Sequence, residues 1–319
     1  MSVRSKGGTL LSVAGWGEKA ALKKDGMPDE KLGVPQLWLC GDGFGFPTAV
    51  QRTEIETGRS VRFLRRGGRT VASLYEDDDA EYALLLGVLP SDPTAAPEKQ
   101  TYSAFEELET VLGEAGMTFA DVARTWLYED RILDWYDGFN KARDAFFRSR
   151  HLYDGLVPAS TGIGSANVWG AAIATGAIAF KAKRPGSIAM KEAVSPLQCT
   201  ARKYGSSFSR AVRLETATKR KLVISGTASI EPGGATARIG DPEGQLRLTL
   251  DVVEAILAAA GMTWRDATRG VMYLKRPEFL PLWKKIRKEL GLARLPVETV
   301  GADICRPDLL VEMELDAAR

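Results

Sequence analysis

Near its C-terminus the chain alternates in character. In the segment 309–316 (LLVEMELD), Leu309, Val311, Met313 and Leu315 are apolar, whereas Glu312, Glu314 and Asp316 are acidic. A period of two places the three carboxylates on one face of a strand. Like charges at that spacing raise at least one pKa, and burial raises it further. In this way a glutamic acid stays protonated near neutral pH and serves as a general acid. The same pattern also describes the wet face of a half-buried strand, so the spacing alone leaves both readings open. Two arginines stand where an acidic substrate would be clamped. Arg306 precedes Pro307 and the acidic strand, and Arg210 lies in the hydroxyl-rich run 204–211 (YGSSFSRA). A guanidinium fixes a carboxylate in two-point geometry, which favours a small anionic ligand. Trp126, Tyr128 and Tyr136 would form an aromatic wall or ordinary core, and the run 158–164 (PASTGIG) would let either a ligand or another strand approach its backbone.

Other chemistries are excluded by residue usage. The three cysteines, Cys40, Cys199 and Cys305, have no paired spacing, and the single histidine, His151, falls just after a helix end, where the helix dipole accounts for it. No metal site is therefore expected. The loop 41–45 (GDGFG) lacks the lysine of a phosphate cradle. A net charge of +2 gives no electrostatic case for nucleic acid, and the basic run 62–69 (RFLRRGGR) reads as a solvated hairpin. No apolar stretch is long enough to span a bilayer, and the run 1–8 (MSVRSKGG) lacks the apolar core of a signal peptide. A cytoplasmic protein with no membrane partner is the expectation.

The elements that position these residues are written twice. Segment 110–131 and segment 255–276 match without a gap at about nine of twenty-two positions, the mark of a duplicated unit. The shared residues include Gly116/Gly261, Met117/Met262, Thr118/Thr263, Asp121/Asp266, Arg124/Arg269 and Tyr128/Tyr273. Each copy reads as helix, left-handed glycine cap, turn, strand and second helix. In the first copy the helices are expected over 103–115 and 132–149, with strands over 82–88, 123–128, 161–164 and 171–180. In the second, strands are expected over 207–214, 221–230, 268–274, 297–304 and 309–317, with helices from about 241 and over 277–290. The segment 184–194 reads as a linker, and residues 1–58 as an added hairpin-rich region without a counterpart. The domain expectation is thus 1–190 and 191–319, each a mixed sheet covered on one face by two helices. The uncovered sheet face must be buried by the other copy or by another subunit.

The motifs GTA (226–228), GDPEGQ (240–245), AAGMTWRD (259–266) and ADICRPDLLVEME (302–314) resemble the YjgF/RidA superfamily. Within it the nearer likeness is to the chorismatases, through RTWLY (124–128), FNKAR (139–143), YGSSFSRA (204–211) and DICRPDLLVEME (303–314). The resemblance implies an α+β fold of tandem YjgF/chorismate-mutase-like domains, and trimeric or pseudo-trimeric self-association. It implies a cofactor-free enzyme that hydrolyses the enol ether of chorismate and releases pyruvate, leaving a hydroxybenzoate or a dihydroxycyclohexadiene carboxylate. Carried over by position, Glu312 would protonate the enolpyruvyl methylene and Arg210 would bind a substrate carboxylate. Tyr128, Tyr204 and Tyr136 would line the ring site. Cys305 and Ala228 would fall where the family varies with product. Leu127 departs from the family's usual asparagine, and the run 195–203 (SPLQCTARK) lacks its proline-rich approach. Two rivals accompany this reading. A RidA-type enamine/imine deaminase needs an arginine on the strand before the last, where Thr299 falls and Arg294 is near. A non-catalytic metabolite-binding protein needs no acid at all.

Overall fold

In the computed structural model the described residues are 8–41 and 43–319, the side chain of Tyr204 excepted. The run 1–7 and Asp42 of the glycine-rich loop lie outside them. The duplication is strand for strand. The first copy has a six-stranded sheet in the spatial order Arg62–Arg66, Arg69–Glu76, Ala80–Val88, Ile173–Ala182, Val122–Glu129 and Ala159–Gly164. The second repeats it as Ala189–Ala193, Ala211–Glu215, Arg220–Ala228, Val311–Ala318, Ala267–Leu274 and Val297–Gly301. All neighbours are antiparallel except the last pair of each sheet, which is parallel. Helices Pro97–Glu114 and Ile132–Ser149 cover one face of the first sheet; Pro242–Ala259 and Leu280–Glu289 cover the same face of the second.

The shared residues of the repeat each have a local task. Gly116 and Gly261 end their helices at φ 73° and 70°, a backbone region that a side chain disfavours. Thr118 and Thr263 then open a turn through matching capping boxes, their N–H groups donating to Asp121 at 2.8 Å and to Asp266 at 2.7 Å. Met117 and Met262 are buried beneath those turns. The hairpin expected in the basic run 62–69 forms as Arg62–Arg66 and Arg69–Glu76 around Gly67 and Gly68, both at positive φ.

Two expectations need correction. The segment 184–194 is not simply a linker, because Ala189–Ala193 pairs with Ala211–Glu215 and becomes the edge of the second sheet. The added N-terminal region is not a set of hairpins. Thr9–Gly17 pairs in parallel with Gln36–Cys40, across the short helix Lys19–Lys24, and antiparallel with Ala49–Ile55. With Ala166–Asn167 these strands make a third, four-stranded sheet.

The three sheets turn inward on one another. Leu11, Trp16 and Leu37 of the added sheet, Leu84 and Trp126 of the first copy, and Val271, Tyr273 and Val300 of the second form one buried cluster. The helix-free faces are thus covered within the chain. A central cavity of about 550 Å³ persists between them, bordered by Leu11, Trp126, Tyr128, Lys221 and Arg269.

Candidate active site

The site lies on the seam between the two copies. Edge strand Ala159–Gly164 runs against the second sheet, and its small residues permit backbone contact. Gly164 N–H donates to Asp303 O at 2.8 Å and Asp303 N–H donates back to Gly164 O at 3.0 Å. A side chain at Gly164 would collide with Asp303 Cβ at 2.6 Å. Ser160 N–H donates to Ser225 Oγ at 2.8 Å, and Gly226 N–H donates to Thr161 Oγ1 at 3.1 Å. The run 158–164 is therefore a strand contact in the main, and it brings the first copy to Glu312.

Glu312 sits on the strand Val311–Ala318, opposite Ala228 on one side and Tyr273 on the other. A bulge between Ile224 and Thr227 presents Gly226 beneath its carboxyl, and a Cβ at Gly226 would overlap Glu312 Oε1. Glu312 is only 5% exposed. Burial, and then the neighbouring Glu314, push its carboxyl up to about 8 against the opposing pull of Arg210, so it is neutral at pH 7. The solvated-face reading of the acidic strand is overturned.

Glu314, on the same face, has the opposite fate. Burial opposes its charge, but Arg269 and Arg124 outweigh that and hold it below the usual carboxylate range. Arg269 Nη2 lies 2.6 Å from Oε1 and Arg124 Nη1 3.3 Å from Oε2. Thr161 Oγ1–H and Trp126 Nε1–H donate to Oε2 at 2.6 and 2.9 Å. Asp316 completes the cluster at 2.9 Å from Arg124 Nη2. Carboxyl groups driven apart in this way divide the roles of acid and anion between them.

Around Glu312 the structure gathers most of the expected residues. Arg210 is buried, its Nε–H donating to Cys199 O at 3.1 Å. Arg306 donates from Nη1 to Gly234 O at 2.8 Å. Cys305 is half-buried; burial and the Glu312 carboxyl push its thiol up to about 12, so no thiolate is available at neutral pH. Tyr136 is coupled to Cys305, and burial lifts its phenol well above the ordinary range. The helix Ile132–Ser149 delivers that tyrosine in its first turn, where Trp135 leaves helical geometry and its Nε1–H donates to Asp130 O at 2.8 Å.

Tyr128 lies in the three-sheet core, in the same buried cluster as Ala228 and with Cys305 packed against it; burial and then Glu314 raise its phenol, and it also borders the central cavity. The Tyr204 side chain lies outside the described residues. Arg294 is exposed in the loop ahead of Val297–Gly301, a strand without arginine, so the deaminase arrangement has no guanidinium there. Among the described residues no cluster of histidine, cysteine and acidic side chains is suited to a metal.

Two further residues were missed. Glu129 is wholly buried and Arg143, the arginine of the FNKAR motif, is 3% exposed. Burial lifts the Glu129 carboxyl well above its usual range, Arg143 pulls it down, and Glu312 lifts it again, which places all three in one electrostatic neighbourhood. An acidic residue in the uniformly buried strand 122–129 is itself the signal that sequence reading passed over. Among the described residues the first copy carries no acids at the matching positions. Through the matched registers, the positions of Glu312, Glu314 and Asp316 are taken there by Ala174, Gly176 and Ile178.

No protein-family model matches the chain. It is similar to a 3-hydroxybenzoate synthase of Streptomyces hygroscopicus, 27% identical over 84% of this chain and 82% of that protein. It is also similar to a chorismatase of Streptomyces rapamycinicus, 28% identical over 69% of each chain. Among solved structures, the crystal structure of a chorismatase superposes over 97% of this chain and 93% of that one, with a TM-score of 0.68 and 19% identity. The resemblance read from the motifs thus extends to the sequence over most of the chain and to the fold: tandem α+β units of the chorismatase type.

Proposed function

We propose that the chain is a cofactor-independent chorismatase-like enzyme that releases pyruvate from chorismate or a similar enol-ether carboxylate. One observation carries the reading: Glu312 is a buried carboxyl, neutral at pH 7, in the electrostatic reach of the Arg210 guanidinium. Protonation of an enol ether at its terminal carbon needs an uncharged acid beside a bound anion. Glu312 would give its proton to the methylene carbon, whose π electrons form the new C–H bond and leave an oxocarbenium ion. Water adds to that cation, and the hemiketal collapses to pyruvate and a ring alcohol as a proton passes to the departing oxygen. The Glu312 carboxylate would take the proton that the water sheds. Arg210 and Arg306 would hold substrate carboxylates, while Tyr136, Cys305 and Ala228 would bound the ring. The similarity to a 3-hydroxybenzoate synthase and to chorismatases supports the substrate class. Addition of water in this way leaves a dihydroxycyclohexadiene carboxylate; a hydroxybenzoate is the product where that ring then loses the elements of water and becomes aromatic.

Among the described residues no helix is long and apolar enough to cross a membrane, and with no disulfide among the three cysteines the cytoplasm is the location we infer. Purified protein incubated with chorismate should release pyruvate, read through a lactate dehydrogenase couple. Glu312→Ala should lose at least about a hundredfold in rate, the range of general acid catalysis. Parent protein that leaves chorismate intact, or a Glu312→Ala variant as fast as the parent, would sink the proposal.

A further inference from the structure

Glu129 is an unusual group to find in a protein interior. It is 0% exposed, and neither carboxyl oxygen has a hydrogen-bond partner among the described residues. The same holds for Nε of Arg143, and no ion pair or hydrogen bond joins the two side chains. Buried polar atoms are almost always satisfied, so a donor and an acceptor left open in one neighbourhood point to a group that binds both. Arg143 is held in place independently. Its Nη2–H donates to Asn140 Oδ1 at 2.6 Å, and its guanidinium lies over the Phe139 ring at 5.0 Å. Arg143 therefore does not depend on Glu129 for its orientation.

The surroundings are accessible although the carboxyl itself is not. Gly162, whose Cβ position lies 3.5 Å from Glu129 Oε1, is partly exposed, as are Tyr136 and Cys305. The carboxyl thus stands just behind the surface that a substrate at Glu312 would touch. A guanidinium N–H only donates, and a carboxyl keeps an acceptor oxygen whether or not it carries its proton. A hydroxyl group meets that donor and that acceptor at once, whereas a carboxylate leaves the acceptor open and a methylene leaves both open.

Resting on the chorismatase reading above, we propose that Glu129 and Arg143 bind the ring hydroxyl of the substrate, whose oxygen accepts from Arg143 Nε–H while its hydrogen is donated to Glu129. Glu129 is then a substrate-binding residue that selects hydroxylated rings, distinct from the acid Glu312. The test compares chorismate with its analogue lacking the ring hydroxyl, in the parent, Glu129→Ala and Glu129→Gln, by kcat/KM for pyruvate release. The parent should prefer chorismate by about tenfold to hundredfold, the loss expected when a charge-assisted hydrogen bond is removed. In Glu129→Ala that preference should shrink to within about threefold, and Glu129→Gln, whose amide both donates and accepts, should restore part of it. Should the alanine variant not fold, Glu129→Leu fills the same volume without a polar group. An undiminished preference for chorismate in folded Glu129→Ala or Glu129→Leu overturns the proposal. Failure of the parent to act on either compound overturns instead the reading beneath it.

Discussion

Glu312 and Glu314 stand two residues apart on one face of one strand, yet one is neutral and the other an anion. The difference lies in what faces them. Two guanidiniums close on Glu314, whereas Glu312 is raised by burial and the anionic Glu314 against the pull of Arg210. This division has two pH signatures. As a general acid Glu312 must be protonated, so turnover should be level through neutrality and fall as pH rises through about 8. Stability should follow the same group. Its ordinary value is 4.5 and its folded value about 8, so the folded state binds more protons between those limits. That contribution is fully present at the acid end and is lost as pH rises toward 8. Glu312→Gln should flatten this part of the Tm-against-pH curve while abolishing turnover. A parent rate that climbs steadily from pH 7 to pH 9 contradicts the assignment.

At the level of elements, the bulge at Gly226 is what makes room for the acid. An alanine there would meet the far end of the Glu312 side chain and the Thr161 methyl at 3.2 Å, both of which can shift without unfolding the sheet. Gly226→Ala should therefore keep a near-parental Tm while its kcat falls about a hundredfold, the usual penalty for misplacing a reacting group by an ångström. A fully active Gly226→Ala would mean that the carboxyl does its chemistry elsewhere. The acidic strand, the glycine caps and the turns after them were legible in the sequence, because each is a local pattern with a local cause. The strand Ala189–Ala193 was not: AMKEA carries helix-forming residues and is extended only because Ala211–Glu215 pairs with it. The parallel pairing of Thr9–Gly17 with Gln36–Cys40 has no turn signal to announce it. Glu129 escaped because every residue of its strand is buried, so no alternation marks a face.

On the scale of the whole molecule, the duplication converges on one carboxylate. Arg124 of the first copy has Ile178 opposite it in its own sheet, where Arg269 of the second has Asp316. Having no acid at home, Arg124 reaches across the seam to Glu314 and Asp316, and its duplicate Arg269 meets it there. Glu314 is consequently the electrostatic tie between the two units, and it also fixes the anion that lifts Glu312. Removing it leaves two buried guanidiniums facing each other with only Asp316 between them. Breaking a buried pair from one side costs about 3–5 kcal/mol, whereas replacing both partners by apolar residues of similar size is often neutral. Glu314→Leu should accordingly lower stability to urea by about that amount, and adding Arg124→Met to it should recover part of the loss. Two effects that simply add in the double variant would show that the carboxylate is a bystander in the joining of the two copies. A non-additive cycle would mean that the first copy, stripped of its own acidic strand, is retained to hold the second copy's acids in their opposite states.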